Sequence, residues 1–312
     1  MVRAVSLGDR IKLGMAIPQT FADTPVDMMV VRRVSQRAEE LGFESLWTSE
    51  GTFSIRPNLE PVGLLNYVAG LTSTIRLGVS VLIFPLHSPV RLAKAFASLD
   101  QASNGRAIMG IGLGERSAPY GAFGLTPAKR VRRFEEGIQL MKALWTQTST
   151  EYHSDMYHLE DAHIEPKPVQ RPHLPIWLGG GHPNVLKRSV NMADGWMGAG
   201  ASSNSFFKER VVEIRRLLEE AGRSTKDFTI SKRIYISIDS NENRALEGLR
   251  QWFGAGYNNP GGASEFAIWG SPQKCADILE DVASVGVDHL LLNPVHAFEE
   301  QLEAVAEITG LK

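Results

Sequence analysis

The segment IRLGVSVLIFPLHSPVRLAKAFASLDQASNGRAIMGIGLG, residues 75–114, contains the pattern that decides the fold. Two short apolar runs, at residues 75–81 and 106–112, flank a longer amphipathic stretch at residues 89–99. Short apolar runs separated by a helical stretch are typical of parallel strands joined by a crossover helix. This segment therefore predicts one βα unit and the strand of the next.

The same alternation extends along the whole chain, in which eight βα units can be counted. Their strands are predicted at residues 11–17, 45–47, 75–81, 106–112, 176–178, 195–197, 229–236 and 287–292. No linker or change of composition divides the units. This favours one α/β domain over residues 1–312, a (β/α)8 TIM barrel, rather than two Rossmann halves.

Three longer segments interrupt the alternation, at residues 114–126, 148–175 and 240–269. Segments of this length in a compact domain are usually functional. We expect them to be insertion loops at the C-terminal face of the barrel, the second a hairpin, and to determine the choice of substrate.

Composition and charge exclude several classes of protein. The 312 residues include 33 Lys and Arg against 35 Asp and Glu, a formal net charge of −2, which argues against a nucleic-acid partner. No apolar run approaches ~18 residues, so no membrane partner is expected. The N-terminus lacks the apolar region of a secretory signal, and the single cysteine permits no internal disulfide. A cytoplasmic protein is the expectation.

Reactive groups of a barrel lie where its strands end, because the βα loops converge there. After the predicted fifth strand come Gly179, Gly180, Gly181 and His182, and a helix follows. Glycine amides before a helix N-terminus hold an anion such as phosphate well. A tight turn that needs positive φ is the alternative, but three glycines in a row favour a binding loop.

A second glycine pattern lies on and just after the fourth strand, at Gly110, Gly112 and Gly114. It differs from a dinucleotide-binding fingerprint because it opens a loop rather than a helix and has no third glycine at the required offset. We interpret it as a place where a planar ligand approaches the strand end closely.

Two carboxylates follow strand ends, Glu50 after the second strand and Glu115 after the fourth. A partly buried carboxylic acid beside a ligand can hold or deliver a proton. A solvated loop charge, or for Glu115 an ion pair with Arg116, is the alternative, and the residues alone leave both open.

Histidines recur every five residues at His153, His158 and His163. That spacing separates side chains on a helix and alternates faces on a strand, so we predict surface residues and no metal site. Trp47 and Phe84 either line an aromatic pocket or close the barrel core.

Several segments together resemble the luciferase-like monooxygenase superfamily, in particular its branch of oxidoreductases that use coenzyme F420, a deazaflavin. The resemblance extends over nearly the whole chain and is carried by residues 38–47, 75–81, 93–100, 110–115, 175–180 and 193–196. It implies a barrel enzyme with a non-prolyl cis peptide at Ser80-Val81 that backs the cofactor ring.

The resemblance also implies roles for individual residues. Glu50 matches an acidic residue near the deazaflavin, and Glu115 matches a glutamate that acts as an acid. The glycine loop at residues 179–181 and the loop of Ala199 and Gly200 match those that hold the cofactor phosphate. The cofactor-binding residues expected on these grounds are Glu50, Ser80, Val81, Gly112, Gly114, Gly179, Gly180, Gly181, His182, Ala199 and Gly200.

One position departs from the pattern. Several relatives have a histidine directly after the acidic residue of strand two, where this chain has Gly51. That puts alcohol or sugar oxidation in doubt but does not obstruct a reductase direction.

Three functions remain in competition. We expect an F420-dependent oxidoreductase that exchanges a hydride between the deazaflavin C5 and an unidentified small organic molecule. The alternative is a two-component monooxygenase that uses FMNH2 and oxygen, with a separate reductase; a non-catalytic flavin-binding protein is the third. A homodimer is expected by analogy.

Overall fold

Eight parallel strands close into a barrel in the computed structural model, which describes residues 5–115 and 117–311. We number them β1 to β8: Lys12–Ala16, Ser45–Thr48, Arg76–Val79, Ala107–Gly112, Ile176–Gly179, Gly195–Gly198, Thr229–Ile238 and His289–Pro294. Each strand pairs with the next, and β8 pairs with β1 through Lys12 and His289. The predicted (β/α)8 TIM barrel is confirmed.

Helices surround the barrel. We number the longer ones α1 to α9: Met28–Glu40, Pro61–Ala69, Pro89–Ala102, Arg130–Thr146, Pro183–Met192, Asn204–Glu220, Glu242–Tyr257, Pro272–Ala283 and Phe298–Thr309. Short helices span Leu7–Arg10 and Gly262–Phe266, and 3₁₀ turns span Phe84–Leu86, Tyr120–Phe123 and Thr225–Asp227. None of the described helices is both long and apolar enough to cross a bilayer.

Large aromatic side chains fill the barrel interior. The Trp47 and Trp177 rings lie 5.1 Å apart and both contact the buried His289 ring. Gly78 makes room for Trp47, since a Cβ there would lie 2.4 Å from the indole. Trp47 and Phe84 are each 1% exposed, so both are core side chains, although Trp47 also borders a small cavity of about 20 Å³.

The three insertions differ in structure. The first contains the turn Tyr120–Phe123, and the second contains the expected hairpin, Thr150–His153 paired with His158–Ala162. The third was predicted to be a loop, but most of it is α7 together with the short strand Ile268–Gly270, which pairs with the end of β7. Its glycines and asparagines are typical of a loop, whereas Leu246, Leu249 and Phe253 form one buried apolar face of a helix.

Candidate active site

A cavity of about 600 Å³ opens at the C-terminal ends of the strands. Its walls come from the segments after β2 to β6, from β7 and from α7. Of the residues predicted to bind the cofactor, nine line it: Glu50, Ser80, Val81, Gly112, Gly114, Gly179, Gly180, Ala199 and Gly200. Glu115, Gly181 and His182 are not among the lining residues. The hairpin of the second insertion contributes no lining residue either.

Ser80 and Val81 form a bulge on one wall of this cavity, between β3 and the short strand Leu82–Ile83. The peptide bond between them is cis. Ser80 N donates to Thr48 O at 2.8 Å, and Ser80 Oγ lies 2.9 Å from the sulfur of Met197. The bulge is therefore fixed to both β2 and β6.

The glycines of β4 and β5 accommodate this bulge. A Cβ at Gly110 would lie 1.8 Å from Val79 O, which no side chain can tolerate. Cβ atoms at Gly112 and Gly179 would each lie 2.9 Å from a methyl group of Val81. The glycines therefore make room first for the chain itself, and Ser80, Val81, Gly112 and Gly179 together form a wall whose side chains are small.

Glu50 is buried at the end of β2 and has three hydrogen-bond partners. Its Oε2 accepts from Ile83 N, its Oε1 lies 2.9 Å from His87 Nε2, and Thr52 Oγ1 donates to Oε1 at 3.3 Å. Burial raises the pKa of Glu50, but its partners, His87 foremost, more than offset this and lower the pKa below the ordinary value. Glu50 is thus ionised at neutral pH and acts as an acceptor. The imidazole of His87 lies beside the carboxylate although the next residue in sequence is Gly51.

Glu115 directly follows the lining residue Gly114 but is exposed to solvent. Its Oε2 accepts a hydrogen bond from Ser117 Oγ at 3.0 Å. Arg116, the alternative partner considered above, lies outside the described residues.

The glycine loop after β5 is only partly available to a ligand. Gly180 N donates to Met197 O at 3.2 Å, and Trp196 Nε1 donates to Gly180 O at 2.6 Å. Gly181 packs against the Phe206 ring, which lies 2.4 Å from an ideal Cβ at this position. His182 is exposed and caps α5 by accepting from Asn184 N.

The loop after β6 covers a buried lysine. Lys232 Nζ donates to Ser202 O at 3.1 Å and to Ala199 O at 3.3 Å, and it lies 5.0 Å from the centre of the Phe207 ring. The side chain is fully buried, and burial lowers its pKa to about 7. This side chain joins β7 to the loop that contains the lining residues Ala199 and Gly200.

The floor of the cavity is formed by Arg233, also on β7. Its Nη1 donates to Ser80 O at 2.7 Å, and its Nε donates to Asn293 Oδ1 at 2.9 Å, with Nη2 bonded to the same oxygen. The guanidinium lies over the Tyr235 ring, 4.9 Å from its centre. The Tyr235 hydroxyl is 2.7 Å from that of Tyr257 on α7, and both tyrosines line the cavity.

Comparison with known proteins assigns the family. Residues 11–265 match the family model described as luciferase-like monooxygenase. The chain belongs to the luciferase-like monooxygenase family. It is 34% identical over 225 residues to the F420-dependent glucose-6-phosphate dehydrogenase of Kineococcus radiotolerans, a match that covers 69% of this chain and 66% of that relative. It is 25% identical over 329 aligned positions to the FMNH2-dependent dimethylsulfone monooxygenase of Pseudomonas putida, covering 93% of this chain and 89% of that relative.

A solved structure shares the fold over nearly its full length. An F420-dependent secondary alcohol dehydrogenase in complex with an F420-acetone adduct superposes with a TM-score of 0.84 at 18% identity, covering 97% of this chain and 99% of that one. At this identity the likeness shows the fold alone.

Sequence reasoning missed the roles of Lys232, Arg233, Tyr235 and Tyr257 in this luciferase-like protein. The available signal was a pair of cations inside a segment predicted to be a buried strand, where charged residues are rare unless they have partners. The long-range partners Ser80, Ala199 and Asn293 cannot be identified from spacing.

The hairpin histidines are exposed, as predicted, but two of them lie together. His153 and His158 are paired across the hairpin with Nδ1 atoms 2.9 Å apart, and Glu160 Oε1 is 3.1 Å from His158 Nε2. A five-residue spacing separates side chains on one continuous helix or strand, whereas here a turn brings these two residues to the same face. Among the described residues these three form the group whose ligand atoms lie close enough to hold a metal ion.

Proposed function

We propose that this protein is an oxidoreductase that uses coenzyme F420 and exchanges a hydride with a small organic substrate. The observation that carries the proposal is the cavity wall of small residues, formed by the cis-linked Ser80 and Val81 and the glycine ends of β4 and β5. A planar ring system requires such a wall, and a cavity of about 600 Å³ accommodates a ring with a small partner. The 34% identity to an F420-dependent dehydrogenase supports the choice of cofactor.

The residues present fit a deazaflavin. Ser80 and Val81 would support one face of the ring, and Glu50, as the acceptor that fixes Ile83, would keep this wall in place. The loop of Ala199 and Gly200, which precedes the N-terminus of α6, would hold the cofactor phosphate. When bound, the deazaflavin supplies the hydride donor or acceptor.

The chain's own side chains then control water and protons. Phe53 and Ile55, 66% and 91% exposed, line the mouth and are apolar enough to restrict water once a ligand is bound. Glu50 is unsuited to donate a proton at neutral pH because it is ionised. Glu115 is the proposed proton donor or acceptor, since it directly follows the lining residue Gly114 and its exposed carboxyl group can exchange protons with solvent.

A monooxygenase that uses FMNH2 is the second candidate. It is favoured by the relative from Pseudomonas putida, which aligns with 93% of this chain. A separate reductase would supply its reduced flavin.

The deciding experiment is a pair of fluorescence titrations of the purified protein with F420 and with FMN, each oxidised and reduced. We expect micromolar binding of F420 and weaker binding of FMN. The reverse order would establish the second candidate, and binding of neither would overturn both. Sedimentation of the same samples tests the proposed homodimer.

A further inference from the structure

We propose that the cavity binds a substrate that carries a carboxylate or a similar oxyanion, with Arg233 as its receptor. This rests on the proposed function, because it specifies the class of molecule that reacts in the same cavity.

A guanidinium has five N–H groups. Arg233 uses three of them, one to Ser80 O and two to Asn293 Oδ1, and both acceptors are neutral. Two N–H groups therefore remain. Within the described parts of the chain, no carboxylate oxygen lies within 4.0 Å of this guanidinium.

Among the described residues, no carboxylate in the cavity lining is free to balance the charge of Arg233. The charged side chains in the lining are Glu50, Arg56 and Arg233. Glu50 is already bonded to His87, Ile83 and Thr52, and Arg56 is exposed at the rim. Because a partly buried cation without an anionic partner is costly, an oxyanion that enters the cavity gains the interaction that the fold leaves open.

A second observation concerns two other side chains at the same place, Thr48 and Trp252. A small cavity of about 20 Å³, room for one oxygen atom or one water, adjoins the main one and shares Arg233 and Trp252 with it. Trp252 Nε1 and Thr48 Oγ1, both on residues that line this small cavity, are buried and have no hydrogen-bond partner among the described residues.

Together, Arg233, Trp252 and Thr48 favour a ligand group that accepts hydrogen bonds. Arg233 and Trp252 can only donate, and the Thr48 hydroxyl can donate as well as accept. A ligand group that only accepts, and that is negatively charged, complements all three. A carboxylate fits this description better than an amide or an alcohol, whose own N–H or O–H groups would face donors.

The test uses benzoate and its planar neutral analogue benzamide, with benzyl alcohol as a second neutral probe that shares the phenyl ring. Binding is measured by calorimetry on the wild-type protein, on Arg233→Met and on Arg233→Lys, with and without the cofactor that the titrations above identify. We expect the wild type to bind benzoate at least tenfold more tightly than benzamide, about 1.4 kcal/mol. Arg233→Met should lose this preference and Arg233→Lys should keep part of it.

Arg250→Met is the matched control. Arg250 is exposed on α7, so its replacement makes the same change in net charge outside the cavity, and the preference for benzoate should be unchanged. Should Arg233→Met fold poorly, the ¹⁵Nε resonance of Arg233 in the wild type gives a second readout, which benzoate should shift and benzamide should not.

Two results would overturn the assignment: a wild type that binds benzoate no better than benzamide, and a preference for benzoate that survives in Arg233→Met. If that variant keeps the preference but loses cofactor affinity, Arg233 serves the cofactor instead. If the protein binds neither F420 nor FMN but still prefers benzoate to benzamide through Arg233, the proposed function is refuted and the anion site is retained.

Discussion

Replacing Lys232 by Met should remove a pH dependence that the buried ammonium imposes on the stability of the fold. Burial lowers the pKa of Lys232 from the ordinary 10.5 to about 7. Between these values the unfolded chain keeps a proton that the folded protein releases, so the free energy of unfolding rises with pH. At ~1.4 kcal/mol per pH unit for one proton, wild-type stability should gain about 2 kcal/mol from this group between pH 7 and pH 9.

The assay is urea denaturation of the wild type and of Lys232→Met at pH 7, 8 and 9. Other titrating groups cancel in the difference between the two proteins, which should change by about 2 kcal/mol over this range. Lys187→Met, a replacement on the exposed face of α5, should show a constant difference from the wild type.

A difference between the wild type and Lys232→Met that stays constant from pH 7 to 9 would refute the reasoning. Should that variant fail to fold, titration of the Lys232 ¹³Cε resonance in the wild type measures the same pKa directly. A titration midpoint above pH 9 for Lys232 would likewise refute the reasoning.

Two further predictions concern the barrel interior and the cavity wall. His289 is fully buried beside Ser45, and burial lowers its pKa to about 4. Because the unfolded chain takes up a proton that the folded protein does not, this group should cost the wild type about 2 kcal/mol of stability between pH 7 and pH 5. Urea denaturation should show no such loss from this group in His289→Gln. Gly110→Ala should push Val79 O away, displace the adjoining bulge of Ser80 and Val81, and weaken cofactor binding at least tenfold in the fluorescence titration. Gly121→Ala is the control: a Cβ there meets nothing within 4 Å, so this variant should bind the cofactor as the wild type does.

The barrel could be predicted because its signal is local. Each strand is a short apolar run and each helix an amphipathic stretch, so the periods of the sequence determine the element types and their order. The main error was the third insertion, where the Gly- and Asn-rich part at residues 253–266 suggested a loop although Leu246, Leu249 and Phe253 form a buried helical face.

The site could be predicted only where it follows from strand ends. Glu50, Ser80 and Gly179 directly follow or end strands, so knowing the strands places them at the cavity. Arg233 and Tyr257 depend on which way a strand residue faces and on how an inserted helix returns to the barrel. Those are properties of the packing, and neither has a signature in spacing.

The third insertion is attached to the barrel in a way that bears on how such proteins diversify. It leaves at the end of β7 and returns at Ile268–Gly270, which pairs with Ile236–Ile238 of that same strand. Leu249, Phe253 and Ala263 pack with Tyr235 in a small core separate from the main one. A segment whose two ends are neighbours and whose apolar side chains pack outside the main core can be exchanged as a cassette, so recombination could replace this wall of the cavity while the strands keep their register.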